Sequence, residues 1–586
     1  MAILFQERAI DRQFASFICR ESGGATGEVF RLLVSLASSA VGKGNICLSL
    51  ADCAGQTLAL DGKEIVVPDV DALVELLRSM PTVGLPGQHR PLVLDLHGRL
   101  YLYRYWQYEH ELATNILQKA STQAEGIDEA ILQAGLGRLF RGCEGEKSDR
   151  QKEAASVALH KQFCVISGGP GTGKTSTVVR ILALLLEQKE GSKQRIAMTT
   201  PTGKAAARLK ASVNDMRPTL ECTDEIKLAI PDNVVTIQRL LGAVSGLSRF
   251  RYSPKNQLPY DTVIVDEASM IALPLMTALV TALKPSARLI LLGDKDQLAS
   301  VEAGAVLGDI CSAGEEGSEA SPLSSSLIKL EKNYRFQAGS GIAEISRAVN
   351  AGLGEEALAL MKSTALSGIA WQGLPEREEL RRVLAKKVLE GFRSYLAAES
   401  AAEALERFDR FRILCALRDG PYGVSGLNSS VESILAGEGL IRQENRLVYR
   451  GRPLLVTANN YSMQLFNGDT GILFPDPERE GALMAFFRAP DGGVRSIMPE
   501  RLPLHETAFA MTVHKSQGSE FNRVVMVLPP VDSDVMTREL IYTGITRAKE
   551  NVEIWSNEGV FCRAVRKKTE RHSGLRDALF ISASQS

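Results

Sequence analysis

The stretch VISGGPGTGKTSTVVRILALL, from Val165 to Leu185, predicts a buried strand, a glycine-rich turn and an apolar helix in succession. The turn has the spacing GxxxxGK[ST], in which glycines let successive backbone N–H groups point toward a phosphate. The positive end of the following helix adds to this cradle. We therefore predict a nucleotide site that takes ATP and Mg²⁺, formed by Gly168, Gly169, Pro170, Gly171, Thr172, Gly173, Lys174 and Thr175.

The chemistry at this turn needs a cation, a metal ligand and a base. Lys174 is expected to reach the β and γ phosphates, and the Thr175 hydroxyl to bind Mg²⁺. The later stretch TVIVDEASM places Asp266 and Glu267 at the end of a buried strand. We predict that Asp266 holds the metal through water and that Glu267 orients and deprotonates the attacking water.

Short apolar runs alternate with helical stretches on both sides of this turn. The runs FCVISGG, RIAMTT, DTVIVDE and ARLILLGD predict parallel strands covered by helices, and hence a doubly wound α/β domain. A second α/β domain is indicated by FRILCAL, RVVMVLP and NVEIWS. Between the first two of these, four short strands separated by turn residues predict a small inserted β-barrel. The segment 312–326, rich in Gly, Ser and Glu, is predicted to be a surface loop.

Composition excludes several classes of protein. The chain has 586 residues, 45% of them hydrophobic and 23% charged, which is typical of a multidomain globular protein. Its net charge of -1 gives no indication of nucleic acid, so any groove for a polyanion must be a local patch. Nine scattered cysteines without a CxxC pair, and the lack of a signal or membrane-spanning stretch, favour a cytoplasmic protein that does not contact membranes.

The ends of the chain are less informative. Residues 1–110 carry no catalytic signature; VFRLLVSLASSA and VDALVELLRSM predict helices, and PLVLDLHGRLYLYRYW predicts a hairpin around His97 and Gly98. We interpret this region as an α+β packing or docking domain. The basic C-terminal stretch RAVRKKTERHSG is interpreted as a solvated face.

An ordered series of motifs carries a family resemblance: TTPTGKAAARL, VIVDEASM, LLGDKDQLASVEAG, KNYRF, MTVHKSQGSEF and IYTGITRAKE. The series resembles superfamily 1 DNA helicases, within them the 5′–3′ group called 1B. Longer matches such as ALRDGPYGVSGLN and LFNGDTGI resemble the family of RecD subunits of the bacterial RecBCD enzyme, also called exonuclease V alpha subunits. The resemblance covers nearly the whole chain.

The resemblance implies a domain plan and a function. Two RecA-like P-loop domains are expected, 1A over 111–355 and 2A over 356–586, with an SH3-like 2B barrel at about 441–503. Residues 1–110 would dock on RecC. The implied activity is that of an ATP-hydrolysing 5′–3′ single-strand DNA translocase and helicase. It would work with RecB and RecC as a heterotrimer on DNA ends in double-strand break repair by homologous recombination. We find no nuclease site, in agreement with the resemblance, which places cleavage in RecB.

Several site residues are also implied by the family motifs. Gln151 would read the adenine edge, Gln297 would sense the γ phosphate, and Arg335 and Arg547 would approach that phosphate from the second α/β domain. Asp294 would order the loop beside Gln297. We expect contacts to the DNA backbone from Thr202, Gly203, Lys204, Thr512, His514, Lys515, Ser516 and Gln517. A 1B β-hairpin near 243–261, with Arg249, Phe250, Arg251 and Tyr252, would separate the duplex.

Two other functions stay open. One is a stand-alone RecD2-like helicase, although the N-terminal region here is short for that group. The other is a regulatory P-loop ATPase that switches partners without translocating, which would not need TVHKSQG or TGITRAKE. Gln238 stands where family members usually have histidine, so any role tied to an imidazole is in doubt.

Overall fold

A computed structural model describes residues 3–24, 26–60, 63–141, 149–188, 191–244, 249–315, 323–335, 340–363, 365–442, 447–460, 462–489 and 493–580. Within this part of the chain, no helix is both long and apolar enough to cross a membrane.

The N-terminal region combines helices with two small sheets. The sheet orders are β1-β3-β4 and β2-β7-β6-β5. The strands are β1 (Ile3–Leu4), β2 (Cys47–Ser49), β3 (Thr57–Leu60), β4 (Lys63–Val66), β5 (Val83–Gly84), β6 (Leu92–Leu94) and β7 (Arg99–Leu102). The helices are α1 (Ala9–Glu21), α2 (Gly27–Gly42), α3 (Leu50–Cys53), α4 (Val70–Ser79) and α5 (Tyr103–Ser121). The predicted helices and the hairpin β6–β7 are confirmed, but the residues YRYW begin α5 instead of continuing the strand.

The first α/β domain contains a six-stranded parallel sheet of order β10-β9-β11-β12-β8-β13. Its strands are β8 (Phe163–Gly168), β9 (Ile196–Thr200), β10 (Val234–Thr236), β11 (Thr262–Val265), β12 (Arg288–Gly293) and β13 (Leu327–Leu330). Its helices are α6 (Glu129–Leu139), α7 (Asp149–His160), α8 (Lys174–Glu187), α9 (Gly203–Met216), α10 (Asp224–Ala229), α11 (Ile237–Leu240), α12 (Leu273–Thr281) and α13 (Val306–Glu315). The central strands are buried along their full length because helices cover both faces.

The second α/β domain is interrupted by an antiparallel sheet. The strands of this half are β14 (Ile369–Gly373), β15 (Phe411–Cys415), β16 (Pro453–Val456), β17 (Thr470–Asp476), β18 (Ala482–Arg488), β19 (Val494–Ile497), β20 (His505–Thr507), β21 (Ala510–Thr512), β22 (Phe521–Val527) and β23 (Ala548–Ser556). Its helices are α14 (Gly341–Asn350), α15 (Gly354–Lys362), α16 (Arg377–Leu396), α17 (Ala401–Phe408), α18 (Val424–Gly437), α19 (Arg538–Ile545) and α20 (Glu558–Arg566). The last helix, α21 (Leu575–Phe580), packs instead against α5 and α13.

These strands form two sheets of different kinds. The parallel sheet has the order β14-β23-β22-β15-β21, and the inserted antiparallel sheet has the order β19-β18-β17-β16-β20. The insertion extends beyond the expected limit of 503, because β20 pairs with β16. A small core of its own, including Leu454, Leu473 and Phe487, supports the inserted sheet. Its likeness to an SH3-like barrel stays a prediction.

Two segments predicted from the sequence are described only in part. Residues 312–315 belong to α13 and not to a loop, whereas 316–322 lie outside the described residues. Within the expected 1B hairpin at 243–261, the antiparallel bridges Ala243–Phe250 and Ser253–Asn256 occur, and residues 245–248 are outside the described part. Phe250 packs against the first-domain core, and the role of this segment as a duplex-separating hairpin stays a prediction.

Candidate nucleotide site and strand-binding seam

The phosphate loop joins β8 to α8 at the carboxyl edge of the first sheet. Gly171 and Gly173 have φ angles of 81° and 82°, in the left-handed region that residues with a Cβ rarely adopt. A Cβ added to Gly171 would lie 2.5 Å from the Cβ of Arg335. The turn therefore needs glycine both for its backbone conformation and for its close contacts.

Side chains of the loop itself complete one wall of a cleft. The Lys174 ammonium donates hydrogen bonds to the carbonyl oxygens of Gly168 and, at 3.0 Å, of Gly169. The hydroxyl of Thr172 donates to the same Gly169 oxygen at 2.8 Å. The cleft has a volume of about 450 Å³, and Thr175 also lines it. Its size and its glycine cradle fit a nucleoside triphosphate.

The acidic pair lies on the same wall, at the carboxyl end of β11. The backbone N–H of Asp266 donates to Thr199 at 2.9 Å, which continues the strand ladder by one residue. Glu267 adopts a left-handed φ of 54°, an unusual conformation for a residue with a side chain. Burial, and then the neighbouring Glu267 carboxylate, raise the pKa of Asp266 to about 6. Such a pair of carboxylates, together with the Thr175 hydroxyl, is an oxygen donor set that suits Mg²⁺.

Gln151 is buried on α7 against the phosphate loop. Its amide nitrogen donates to the carbonyl oxygen of Thr172 at 3.1 Å, and its amide oxygen accepts from Arg180 at 3.2 Å. Both ends of the amide are thus fixed beside the turn. Adenine recognition by Gln151 stays a prediction.

Gln297 and Arg547 meet across the seam between the two α/β domains. Arg547 donates to the Gln297 side-chain oxygen at 2.9 Å, and the Gln297 amide nitrogen donates to Asp294 at 3.0 Å. Asp294 in turn accepts a hydrogen bond from the Tyr542 hydroxyl of α19 at 3.0 Å. Burial lowers the pKa of the Arg547 guanidinium. The second domain therefore presents a buried cation to the loop that follows β12.

Arg335 also lines the cleft, but the first domain holds its backbone. The Asn333 side chain donates to the Pro170 carbonyl at 2.7 Å, and the Tyr334 N–H donates to Gly171 at 2.7 Å. The Arg335 N–H itself donates to the Asn333 side-chain oxygen at 2.9 Å. The expectation that Arg335 approaches from the second domain is therefore wrong, because this segment follows β13 and is hydrogen-bonded to the phosphate loop.

Sequence reasoning missed two charged residues in this cleft, Arg208 and Glu520. The Glu520 carboxylate accepts hydrogen bonds from both Arg208 of α9 and Arg335, and Lys549 lies 3.6 Å away. Burial would raise the pKa of Glu520, but these three cations and Arg547 lower it to about 2. Both residues lie in the stretches TGKAAARL and HKSQGSEF, yet their pairing depends on the domain seam and so could not be read from either stretch alone.

The first-domain candidates for DNA contact lie at the start of α9. The Thr202 hydroxyl accepts from the N–H of Ala205 at 3.2 Å and caps this helix. Burial lowers the pKa of Lys204 to about 8, although nearby Asp409 opposes the shift. A Cβ added to Gly203 would lie 2.8 Å from atoms of Phe466, which lies in the loop between β16 and β17 of the inserted sheet. The inserted sheet therefore rests on the proposed strand-binding loop.

The second-domain candidates differ in exposure. The Thr512 hydroxyl accepts from the N–H of Lys515 at 3.2 Å, and the Lys515 ammonium pairs with Glu506 at 2.7 Å. Burial, and then the Arg571 charge, lower the pKa of His514. Ser516 and Gln517 are buried, and they donate to Val513 and Leu298, at 2.7 and 3.0 Å.

The two candidate loops lie side by side. A Cβ added to Gly518 would lie 3.6 Å from the Cβ of Ala205. The Gln517 side chain bonds across the domain seam to Leu298, and the Ser516 hydroxyl bonds within its own turn. Since both side chains are buried, we correct the expectation that they contact DNA. Thr512, His514 and Lys515 remain candidates.

The geometry defines a class: an ATPase of the P-loop type whose nucleotide cleft is lined by two parallel α/β domains. Family models match three parts of the chain, namely an AAA domain at 151–303, a UvrD-like helicase C-terminal domain at 507–554, and the N-terminal domain of the RecBCD enzyme subunit RecD at 6–101. The chain is 38% identical to the RecBCD enzyme subunit RecD of Mycolicibacterium smegmatis over 554 residues, 94% of this chain and 93% of the relative. The chain belongs to the family of RecD subunits.

Other relatives differ in length and similarity. The RecD subunit of Haemophilus influenzae is 36% identical over 525 residues, which cover 82% of this chain and 80% of the relative. The ATP-dependent RecD2 DNA helicase of Deinococcus radiodurans is 29% identical over 77% of this chain and only 54% of the relative. The chain therefore spans the RecD subunits far more fully than the RecD2 enzyme.

Solved structures that resemble this chain include Pif1 helicases. The Candida albicans enzyme has a TM-score of 0.39 and 14% identity, and covers 73% of this chain and 97% of its own. Bacteroides Pif1 in complex with ADP-AlF3 and single-stranded DNA has a TM-score of 0.37 and 16% identity, over 70% of this chain and 91% of its own.

Proposed function

We propose that this chain is an ATP-dependent 5′–3′ single-stranded DNA translocase and helicase, the motor subunit of a RecBCD-type complex in recombinational repair of double-strand breaks. Membership of the RecD family supports the assignment. The observation that carries it is the hydrogen bond from Arg547 to Gln297, because it joins the two α/β domains at the edge of the nucleotide cleft. A cleft built in this way couples phosphate chemistry to relative movement of the domains.

In this proposed function, each residue of the cleft has its own role. Lys174 and the loop N–H groups bind the phosphates, and Thr175 and Asp266 hold Mg²⁺, which supplies positive charge against the phosphate oxygens. Glu267 orients the attacking water and accepts its proton. Gln297, Arg335 and Arg547 line the cleft where charge accumulates on the transferred phosphoryl.

The strand would lie across the two neighbouring loops at Thr202–Lys204 and Thr512–Lys515. Threonine hydroxyls, backbone N–H groups and ammonium groups bind the phosphodiester backbone without reading bases. This mode suits a protein that must move over any sequence. The tip of the inserted sheet at Phe466, which packs on Gly203, would form one wall of this path.

We further propose that the N-terminal region docks on RecC, that RecB completes the complex, and that this subunit has no nuclease activity of its own. Full stimulation of ATP hydrolysis by DNA would then require the assembled complex. The stand-alone helicase alternative is disfavoured because the chain is 38% identical to a RecD subunit over 94% of its length, but only 29% identical to the RecD2 relative over 77%.

Strand displacement on tailed duplexes tests the proposal. The chain, alone and with RecB and RecC, is given ATP and a duplex with either a 5′ or a 3′ tail. We expect unwinding from the 5′ tail and strong stimulation of ATP hydrolysis by single-stranded DNA. Unwinding only from 3′ tails would refute the polarity, and hydrolysis indifferent to DNA would favour a regulatory switch.

A further inference from the structure

After α20 the chain leaves the second α/β domain and returns to the other half of the molecule. We call residues 567–580 the C-terminal strap. Its first part stays on the second domain: the Lys567 carbonyl accepts from the N–H of Arg538 at 2.7 Å. The Glu539 carboxylate accepts from both the N–H and the hydroxyl of Thr569, at 3.0 and 2.7 Å. Thr569 is therefore the last point at which the strap is fixed to this domain.

Two residues later the strap is fixed to the first domain. The Arg571 guanidinium donates to three backbone carbonyls: those of Glu302 and Gly304, each at 2.8 Å, and that of Ser300 at 2.5 Å. These carbonyls belong to the loop that begins with Gln297. One side chain thus satisfies three acceptors of the loop that positions the proposed phosphate sensor. The interpretation of this basic stretch as a solvated face is wrong at Arg571.

The rest of the strap is bound to the N-terminal half. The His572 carbonyl accepts from the N–H of Ile46 at 2.8 Å. The buried Glu109 carboxylate on α5 accepts from the Ser573 hydroxyl and the Gly574 N–H, each at 2.9 Å. Leu575 and Leu579 are buried in the same core as residues of α5 and α13. The strap is consequently anchored well beyond Arg571.

The distance between the two anchors is short. Only Glu570, which is exposed, separates Thr569 from Arg571. Consecutive Cα atoms are about 3.8 Å apart, so the Cα atoms of the two anchors cannot separate by more than about 7 to 8 Å. The domains can rotate about this point, but they cannot move apart here unless one anchor breaks.

We propose that residues 569–571 are a pivot for the two α/β domains and that Arg571 is a positioning residue that holds the Gln297 loop at this pivot. If the domains rotate about Glu570, the nucleotide cleft opens by this rotation; this consequence rests on the proposed motor function. The strap is a connection between the domains that is separate from the phosphate loop and from the helicase motifs. Movement of the second domain reaches the Gln297 loop through the strap as well as through the Arg547 contact.

Two kinds of variant of the full-length chain test the proposal. One lengthens the segment 569–571, and the other removes the Arg571 side chain that fixes the strap to the first domain. The insertion variant carries Gly-Ser after Glu570, and its control carries Gly-Ser after Gly439, in an exposed turn of the second domain. The anchor variants are Arg571→Ala and Arg571→Lys, and their control is Arg576→Ala, an exposed arginine of the same strap.

Hydrogen exchange is first measured without nucleotide. In Arg571→Ala we expect the amides of Leu298 and Gly304 to exchange about tenfold faster while those of β12 keep their rates, with partial recovery in Arg571→Lys. Exchange rates equal to those of Arg576→Ala would overturn the role of Arg571. This readout does not depend on motor activity, so it separates failure of the pivot from failure of the proposed function.

Coupling is then measured as base pairs unwound per ATP hydrolysed. The insertion after Glu570 should lower this ratio about fivefold or more and leave the KM for ATP within about twofold, because the cleft residues are untouched. The insertion after Gly439 should keep the wild-type ratio. An unchanged ratio in the Glu570 insertion would overturn the pivot.

Discussion

Arg547 of the second α/β domain donates a 2.9 Å hydrogen bond to Gln297 of the first, at the edge of the nucleotide cleft. Both residues are buried, with 2% and 6% of their surface exposed. A buried, charge-assisted hydrogen bond between domains is sensitive to small rotations, because its strength depends on distance and angle. A change in the relative position of the domains would therefore directly alter a hydrogen bond at the edge of the nucleotide cleft.

The first prediction concerns this pair. We expect Arg547→Ala to lower kcat for ATP hydrolysis by about 10³-fold, the lower end for arginines that stabilise phosphoryl transfer. Arg547→Lys should recover little, since an ammonium cannot reproduce the guanidinium geometry. Adding Gln297→Ala to Arg547→Ala should cost less than the two single losses combined. Steady-state ATPase assays measure this, with Arg563→Ala, an exposed arginine of α20, as the control; near-normal kcat in Arg547→Ala would contradict the role.

The second prediction concerns Glu520 and stability. Its pKa is lowered to about 2, so its contribution is present above the ordinary glutamate pKa and is lost as pH falls from about 4.5 toward 2. Glu520→Gln should cost up to about 3 kcal/mol at pH 7. Thermal unfolding of variant and wild type should converge as the pH is lowered through this window. Glu500→Gln, at an exposed site, is the control, and a pH-independent difference would contradict the charge argument.

The third prediction concerns the contact between Gly203 and Phe466. Gly203→Ala would place a Cβ 2.8 Å from atoms of Phe466, so the inserted sheet must shift. We expect about tenfold weaker binding of single-stranded DNA, with little change in DNA-independent ATP hydrolysis. Phe466→Ala should restore part of the affinity, because it removes Cγ and Cδ2, two of the three Phe466 atoms that the added Cβ would overlap. Fluorescence anisotropy with a labelled oligonucleotide measures this; additive losses in the double variant would refute the steric cause.

The fourth prediction concerns the pH dependence of strand binding. Burial lowers the pKa of Lys204 to about 8, so its ammonium is charged below this pH and loses its proton above it. The Kd for single-stranded DNA should therefore rise by about threefold to tenfold between pH 7 and pH 9, as one phosphate contact is lost. Lys204→Arg should flatten this rise, because a guanidinium stays charged. Parallel profiles for the two proteins would exclude Lys204 from the interface.

The sequence was most informative where function depends on one short segment. The phosphate loop and the strand before Asp266 could be predicted because glycine spacing and an apolar run are local signals. The strands β14, β20 and β21 were missed, since they are short and are defined by their neighbours more than by their own residues.

Contacts between distant segments could not be predicted. Glu520 gains its three cations from α9, from the segment after β13 and from β23, and only the folded seam brings these together. In the sequence, Arg571 cannot be distinguished from the solvated arginines of a basic stretch. In the structure, its guanidinium donates hydrogen bonds to three backbone carbonyls of a distant loop. Conversely, Ser516 and Gln517 lie in a recognisable motif but face inward, because a motif does not specify the orientation of each side chain.

The inserted sheet has a consequence for the order in which the chain folds. The insertion follows α18 and returns to β21. The strand β15, which precedes α18, is adjacent and parallel to β21 in the second sheet. The strands β16 to β19 pair mainly with sequence neighbours, so this unit can form early from local contacts. Once formed, it brings the chain after α18 close to the start of β21, because β16 pairs with β20, and so shortens the loop that must close when β15 pairs with β21. During synthesis, the second α/β domain would thus complete its sheet only after the insertion has folded.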